Sequence, residues 1–248
     1  MRAQVRRSIL LALAPLATAV AQTETGDLRA FAALRSSHIG SLTPLLTPAM
    51  ESRRLSGVQL AIRYGLRREN GVMYNGYAGT ALFNAGMQSS VSLTAGVLDA
   101  YCDSCPPALM LGAGGDMRIA ELADAFGTGS QFTVAVSGEF GYAQLKPGSD
   151  NANTLTVGLP LTLSIGSGGK EGMRIAPYFT PVFGVGQTST PCMNTASTCD
   201  KSGMRWVMGG GIGVWNPTSN VSASIGANQV LLSGAKPVFG VNVMLGGR

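Results

Sequence analysis

Charge is scarce in this chain. Lys, Arg, Asp and Glu make up 12% of its 248 residues, about half of the ~25% that an ordinary globular domain carries. A soluble domain of this size needs a more charged surface. Histidine occurs once, at His38, ahead of every strand inferred below. No Ser-His-Asp constellation can therefore be assembled on a folded rim. No stretch after residue 21 offers ~18 consecutive apolar residues, so membrane-spanning helices are excluded. Metal-ligand clusters and phosphate-binding loops are also missing. Gly209-Gly-Gly-Ile-Gly213 sits inside a strand pattern with no helix after it, so it relieves crowding and does not cradle a nucleotide. No cofactor is expected. The net charge of +5 is no nucleic-acid footprint either. Arg2, Arg6 and Arg7 stand in the first 21 residues without an acid, and removing them leaves 15 basic against 13 acidic residues, or +2.

What the chain has is a period of two. From Thr154 to Ile165, Leu155, Val157, Leu159, Leu161, Leu163 and Ile165 fall on one face, with Thr, Gly, Pro and Ser on the other. Successive side chains of a strand point to opposite faces, so this alternation predicts strand and not helix. The segment from Met173 to Val185 repeats it after a Gly-rich turn at 166–172. Further strands are expected at 58–66, 73–84, 89–101, 108–119, 132–145, 204–215, 221–232 and 237–245. One segment is ambiguous. Ile119, Leu122, Ala123 and Phe126 also fit helical spacing, so 120–126 reads as a short helix, an extended turn or more strand. Glycine occurs 34 times, about double its usual ~7%, which suits crowded and bent strands.

An apolar face on every strand, little charge and no apolar helix together predict a barrel in lipid, since closure satisfies every backbone hydrogen bond. The expected fold is all-β: an antiparallel up-and-down transmembrane β-barrel of about 10 strands, within 8 to 12. Residues 1–21 read as a signal peptide with an Ala19-Val20-Ala21 cleavage site. Residues 22–56 read as a periplasmic lead-in, and 57–248 as the barrel. Counting from a periplasmic start places the connections 67–71, 102–107, 146–151, 188–202 and 233–236 outside, with longer connections expected there than within. Tyr64, Tyr74, Tyr101, Tyr142, Phe183 and Trp206 fall near the outer strand ends, and Phe83, Phe132 and Trp215 near the inner ones, as aromatic belts require. Pro160, Pro177 and Pro181 each lack a ladder donor, so a bulge or a local opening is expected between strands six and seven.

In these features the chain resembles the small bacterial outer-membrane β-barrel proteins, over residues 57–248 and the signal peptide. Gly240, Val243 and Leu245 match the spacing of the assembly signal in the last strand of such proteins, while Val238 replaces its polar residue and Arg248 its terminal aromatic. The resemblance implies the outer membrane of a Gram-negative-type bacterium, with outer-membrane lipid and the outer-membrane assembly machinery as partners. It also implies a non-enzymatic protein with a structural or surface-interaction role through its outer loops. The alternatives are a small passive diffusion channel and a soluble secreted β-barrel that binds an apolar ligand.

Two residue sets bear on these choices. Cys102, Cys105, Cys192 and Cys199 stand in expected outer connections of an exported protein, where disulfides persist. Four cysteines allow three pairings, and the sequence does not choose. If the apolar face meets lipid, the lumen holds Arg63, Asp116, Arg118, Glu139, Arg174 and Arg205. Four bases against two acids either line a narrow anion-preferring passage or pair into a plug, since barrels of about eight strands are filled by side chains.

Overall fold

A strand inside a closed sheet has a neighbour on both sides, and the period of two then decides what faces in and what faces out. The computed structural model describes residues 58–69, 72–86, 88–100, 107–124, 126, 129–146, 150–166, 172–191, 198–216, 219, 221–231 and 237–246. The expected signal peptide, the 22–56 segment, His38, Tyr101, Cys102, Cys105 and Cys192 lie outside these residues. Its strands are β1 (Val58–Glu69), β2 (Val72–Asn84), β3 (Ser89–Ala100), β4 (Ala108–Ala123), β5 (Gln131–Lys146), β6 (Asp150–Gly158), β7 (Leu161–Gly166), β8 (Arg174–Pro191), β9 (Thr198–Asn216), β10 (Val221–Val230) and β11 (Val238–Gly246). Strands pair antiparallel with their chain neighbours, and β1 pairs with β11 to close the ring. β6 and β7 lie end to end between β5 and β8, so the eleven strands form ten staves. The fold is a closed antiparallel ten-stranded β-barrel.

Its burial is inverted relative to a protein in water. Along β1, Leu60 and Ile62 are 60% and 72% exposed, while Gln59 and Arg63 on either side of them are 1% and 5% exposed. On β11, Phe239, Val241, Val243 and Leu245 face out, while Val238, Asn242 and Met244 are buried. The apolar set lies outside all round the ring, so an inward apolar face around an apolar ligand is not what this barrel has. Exposed apolar surface of this extent marks contact with something apolar. Near the end of the barrel that holds connections 70–71, 147–149 and 192–197, the belt carries aromatic pairs. Tyr64 stacks at 5.3 Å from Tyr77 and donates to Asn75 Oδ1 at 2.8 Å, and Phe183 lies 5.2 Å from Trp206. Tyr142 donates to Asn151 Oδ1 at 2.9 Å at the same level. Trp215 corrects the expectation of an inner belt residue: it is 2% exposed and packs inside the barrel against Ala176.

The connections also differ from expectation. β8 and β9 run to Pro191 and from Thr198, so most of the expected loop at 188–202 is strand. The connections at that end, 70–71, 101–107, 147–149, 192–197 and 231–237, are no longer as a group than 85–88, 124–130, 167–173 and 217–220 at the other. What distinguishes the end is strand length, because β9 continues past Val207, the partner of the last residue of β10.

As far as Ala123 the ambiguous segment resolves into strand, entered through a bulge. Arg118 faces Ala135 and Ala120 faces Val134, so Ile119 is an extra residue in β4. A bulge flips the parity of the strand. Outward side chains therefore change from odd numbers (Leu109, Leu111, Met117) to even (Leu122), and this change of phase is what imitated helical spacing. The strand then ends at Asp124, at φ 54°, with Asp124 Oδ1 accepting from the Gly129 amide at 3.0 Å.

The prolines act without any bulge. Gly158↔Val182 and Leu161↔Phe179 are in one phase, as are Ser137↔Gly158 and Val134↔Leu161, so no residue is inserted at Leu159–Pro160. The Leu159 amide still donates to the Pro181 carbonyl at 2.9 Å, and the Ala135 amide to the Pro160 carbonyl at 3.0 Å. The reciprocal bonds cannot form, because proline has no N–H. The expected local opening is therefore present as missing rungs in a ladder of unbroken register.

Deletion of Ile119 leaves both flanks of β4 in their present register and is expected to preserve the barrel, whereas deletion of Ala113 inverts one flank and is expected to abolish it. Heat-dependent gel mobility of the two variants checks this, and loss of the folded band in both would contradict the bulge.

Candidate functional site in the lumen

Among the described residues, most buried polar side chains point inward, Arg63 with them, so the lumen is the candidate site. Arg63 on β1 stands opposite Asn242 on β11 and is buried, within electrostatic range of Glu139 across the lumen. Asn242 Nδ2 donates to Ser224 Oγ at 3.2 Å, and the hydroxyls of Thr80 and Thr94 lie 2.8 Å apart. Asp116 on β4 accepts from Ser90 Oγ at 2.8 Å. Arg118 forms an ion pair with Glu121, a residue absent from the expected lumen set. The bulge at Ile119 places Glu121 opposite the inward Thr133, and the i,i+3 spacing from Arg118 was its signal. Arg174, at the start of β8, stands opposite Trp215, and its Nε and Nη1 atoms are buried without hydrogen-bond partners. Arg205 stands opposite Gly184, and its side chain lies outside the described set. Cys199 stands in β9 opposite Thr190, so the expected cysteine pairings lie outside what is described.

The wall opposite the charges is built from glycine for a steric reason. Tyr178 on β8 projects inward, and its hydroxyl donates to the Ile225 carbonyl at 3.4 Å. A Cβ on Gly211 or Gly226 would collide with that hydroxyl, and one on Gly209 with Asn228 Oδ1. The run Gly209–Gly213 therefore makes room for Tyr178 and Asn228, in keeping with its reading as relief of crowding. On the far side, a Cβ on Gly112 would meet Glu139 Oε1 at 3.3 Å. Gly112, Gly114, Asp116 and Glu139 are only half-buried, whereas Arg63, Tyr178, Thr180 and Trp215 are buried. The lumen is thus filled beside β1, β8 and β11 and less closely filled at the middle of β4 and β5, since Met110, Thr133, Ala135 and Ala143 on the same two strands are buried. Among the described residues, no group of three or more His, Cys, Asp and Glu side chains could hold a metal ion.

No protein-family model matches the chain, and no curated protein sequence matches it. Solved structures with similar folds include the N-terminal β-barrel domain of OprF from Pseudomonas aeruginosa, at 13% identity and a TM-score of 0.31, covering 75% of this chain and 96% of that one. The translocator domain of the autotransporter NalP from Neisseria meningitidis follows at 12% and 0.33, covering 92% and 100%. The KdgM porin stands at 10% and 0.31, covering 77% and 99%.

Gly226→Ala is expected to destabilise the barrel by about 1–3 kcal/mol through overpacking. In a Tyr178→Phe background, which removes the colliding hydroxyl, the penalty is expected to shrink. A double-mutant cycle on the temperature of heat-dependent mobility loss measures this, and equal penalties in both backgrounds would contradict the contact.

Proposed function

We propose that this chain is an integral barrel of a Gram-negative-type outer membrane, with a lumen closed by side chains. It serves a structural or surface-interaction role through the connections 101–107, 147–149 and 192–197. The observation that carries this reading is the inverted burial: apolar side chains outside, Arg63, Thr80, Asn242, Tyr178 and Trp215 packed within. A bilayer supplies the apolar partner that the outer face needs, and closure leaves no unpaired strand edge in lipid. Outer-membrane lipid and the assembly machinery are its expected partners. The reading assigns the lumen no enzymatic chemistry, and two of its charged groups, Asp116 and Arg118, are engaged with Ser90 and Glu121.

A second reading, a narrow passive channel, is favoured by one observation. The half-buried strip Gly112, Gly114, Asp116 and Glu139 is where a passage would run.

Detergent-dependent extraction with a heat-dependent mobility shift is expected, and release into buffer without detergent would overturn the membrane reading. In planar bilayers the native protein is expected to give no current steps, and replacing Tyr178 and Trp215 together by Ala to open a conducting lumen. Steady conductance of the native protein would transfer the assignment to the channel.

A further inference from the structure

The three prolines lie within or beside one stave: Pro160 joins β6 to β7, and Pro177 and Pro181 stand in the neighbouring β8. In an antiparallel ladder, residues two apart send their N–H groups to the same neighbour. Leu159 bonds to Pro181, so Pro181 and Pro177, four residues apart, both aim their missing donors at the β6–β7 stave. Pro160 aims its own at β5, where Ala135 donates one-sidedly. The β7–β8 ladder accordingly skips Leu163–Pro177 and Ser164–Ala176, while β8–β9 pairs without a gap from Arg174 to Pro191. Two of the three missing donors thus fall on the β7–β8 seam, and the third on the β5 side of the same stave.

Behind that seam the lumen wall is polar and unsatisfied. The hydroxyls of Thr133, Thr162, Ser164 and Thr180 are buried without hydrogen-bond partners, and each residue is 1–2% exposed. Thr133 stands opposite Thr162 across β5 and β7, and Ser164 belongs to one of the two skipped pairs. Arg174 begins β8 at the same end of the barrel, with Nε and Nη1 also lacking partners. Buried donors left unmade are costly, and a group that supplies acceptors to several at once recovers that cost. In front of the seam, Leu161, Leu163, Pro177 and Phe179 offer only apolar surface.

We propose that this seam is a lateral binding site for a single-chain amphiphile with an anionic head, such as a fatty acid. The head takes Arg174 and the hydroxyls of Thr162 and Ser164, and the chain leaves between β7 and β8 into the bilayer. Arg174 supplies the charge preference, and the two missing rungs let the strands part by the width of one chain. Arg174 lies near the end of the barrel where β1 begins, at the border of the apolar belt, which is the depth of a lipid headgroup. The inference rests on the membrane reading above.

The test uses the full-length protein folded in detergent and hexadecanoic acid with a photoreactive group in mid-chain. Saturable labelling is expected on β7 and around Phe179. Pro177→Val with Pro181→Val restores two N–H donors and is expected to cut labelling about tenfold, and Arg174→Gln to weaken binding of the acid about tenfold while sparing an uncharged hexadecanol probe. Labelling spread evenly around the belt, or unchanged in both variants, overturns the site. Each variant is first checked for its heat-dependent mobility shift. If the proline variant does not fold, amide exchange of the native protein decides: hexadecanoate is expected to slow exchange at Leu161 and Leu163, and no slowing overturns the site. Failure of the native protein to show the shift would sink the membrane reading, which separates the two outcomes.

Discussion

The backbone ladder of this barrel has no end. Each stave must satisfy its N–H and C=O groups against two neighbours, and the closing pair, β1 with β11, makes that condition circular. Once the ring closes, every side chain is committed to the lumen or to the outside by the parity of its number. A single slip of register would turn a whole stave inside out. The apolar belt, the polar lumen and the two departures from regularity are all consequences of that one condition.

Inside, the condition creates a packing problem, because polar side chains from ten staves converge on a narrow space. Tyr178 and Asn228 are admitted only because Gly209, Gly211 and Gly226 offer no Cβ. Arg63, Asn242 and Ser224 form a layer across β1, β11 and β10, and Glu139 has room beside Gly112 and Gly114. Gly112, Gly209, Gly211 and Gly226 therefore mark where large side chains lie opposite them. The half-buried strip beside β4 and β5 is the part of the lumen where this complementarity is least complete.

The departures are local and of two kinds. The bulge at Ile119 adds a residue and changes which side chains face in, which brings Glu121 to Arg118. The prolines add nothing and shift nothing, but remove donors on both sides of the β6–β7 stave, two of them along the β7–β8 seam. The first kind re-aims a side chain while leaving the wall intact. The second leaves every side chain in place while weakening the wall. Only the second offers a route between lumen and bilayer.

Strand positions, the outward apolar face and the inward charges were readable from the sequence, because a period of two survives any tertiary context that keeps the strands. Arg63, Asp116, Arg118, Glu139 and Arg174 were placed inside by parity alone. Trp215 was legible in the same way, since its odd number groups it with Val207 and Gly209, but an aromatic at a strand end also fits a belt. Only the closed ring separates the two readings, by burying it against Ala176. The identity of a rung's partner, by contrast, is not a property of one segment. That Pro177 and Pro181 fall on a single seam, that Ile119 is the extra residue and that Tyr178 lies over Gly211 and Gly226 depend on register between strands apart in the chain. Which residues alternate is a property of each segment alone. The tertiary structure decided which of them meet, because register is set jointly by all ten staves of a closed ring.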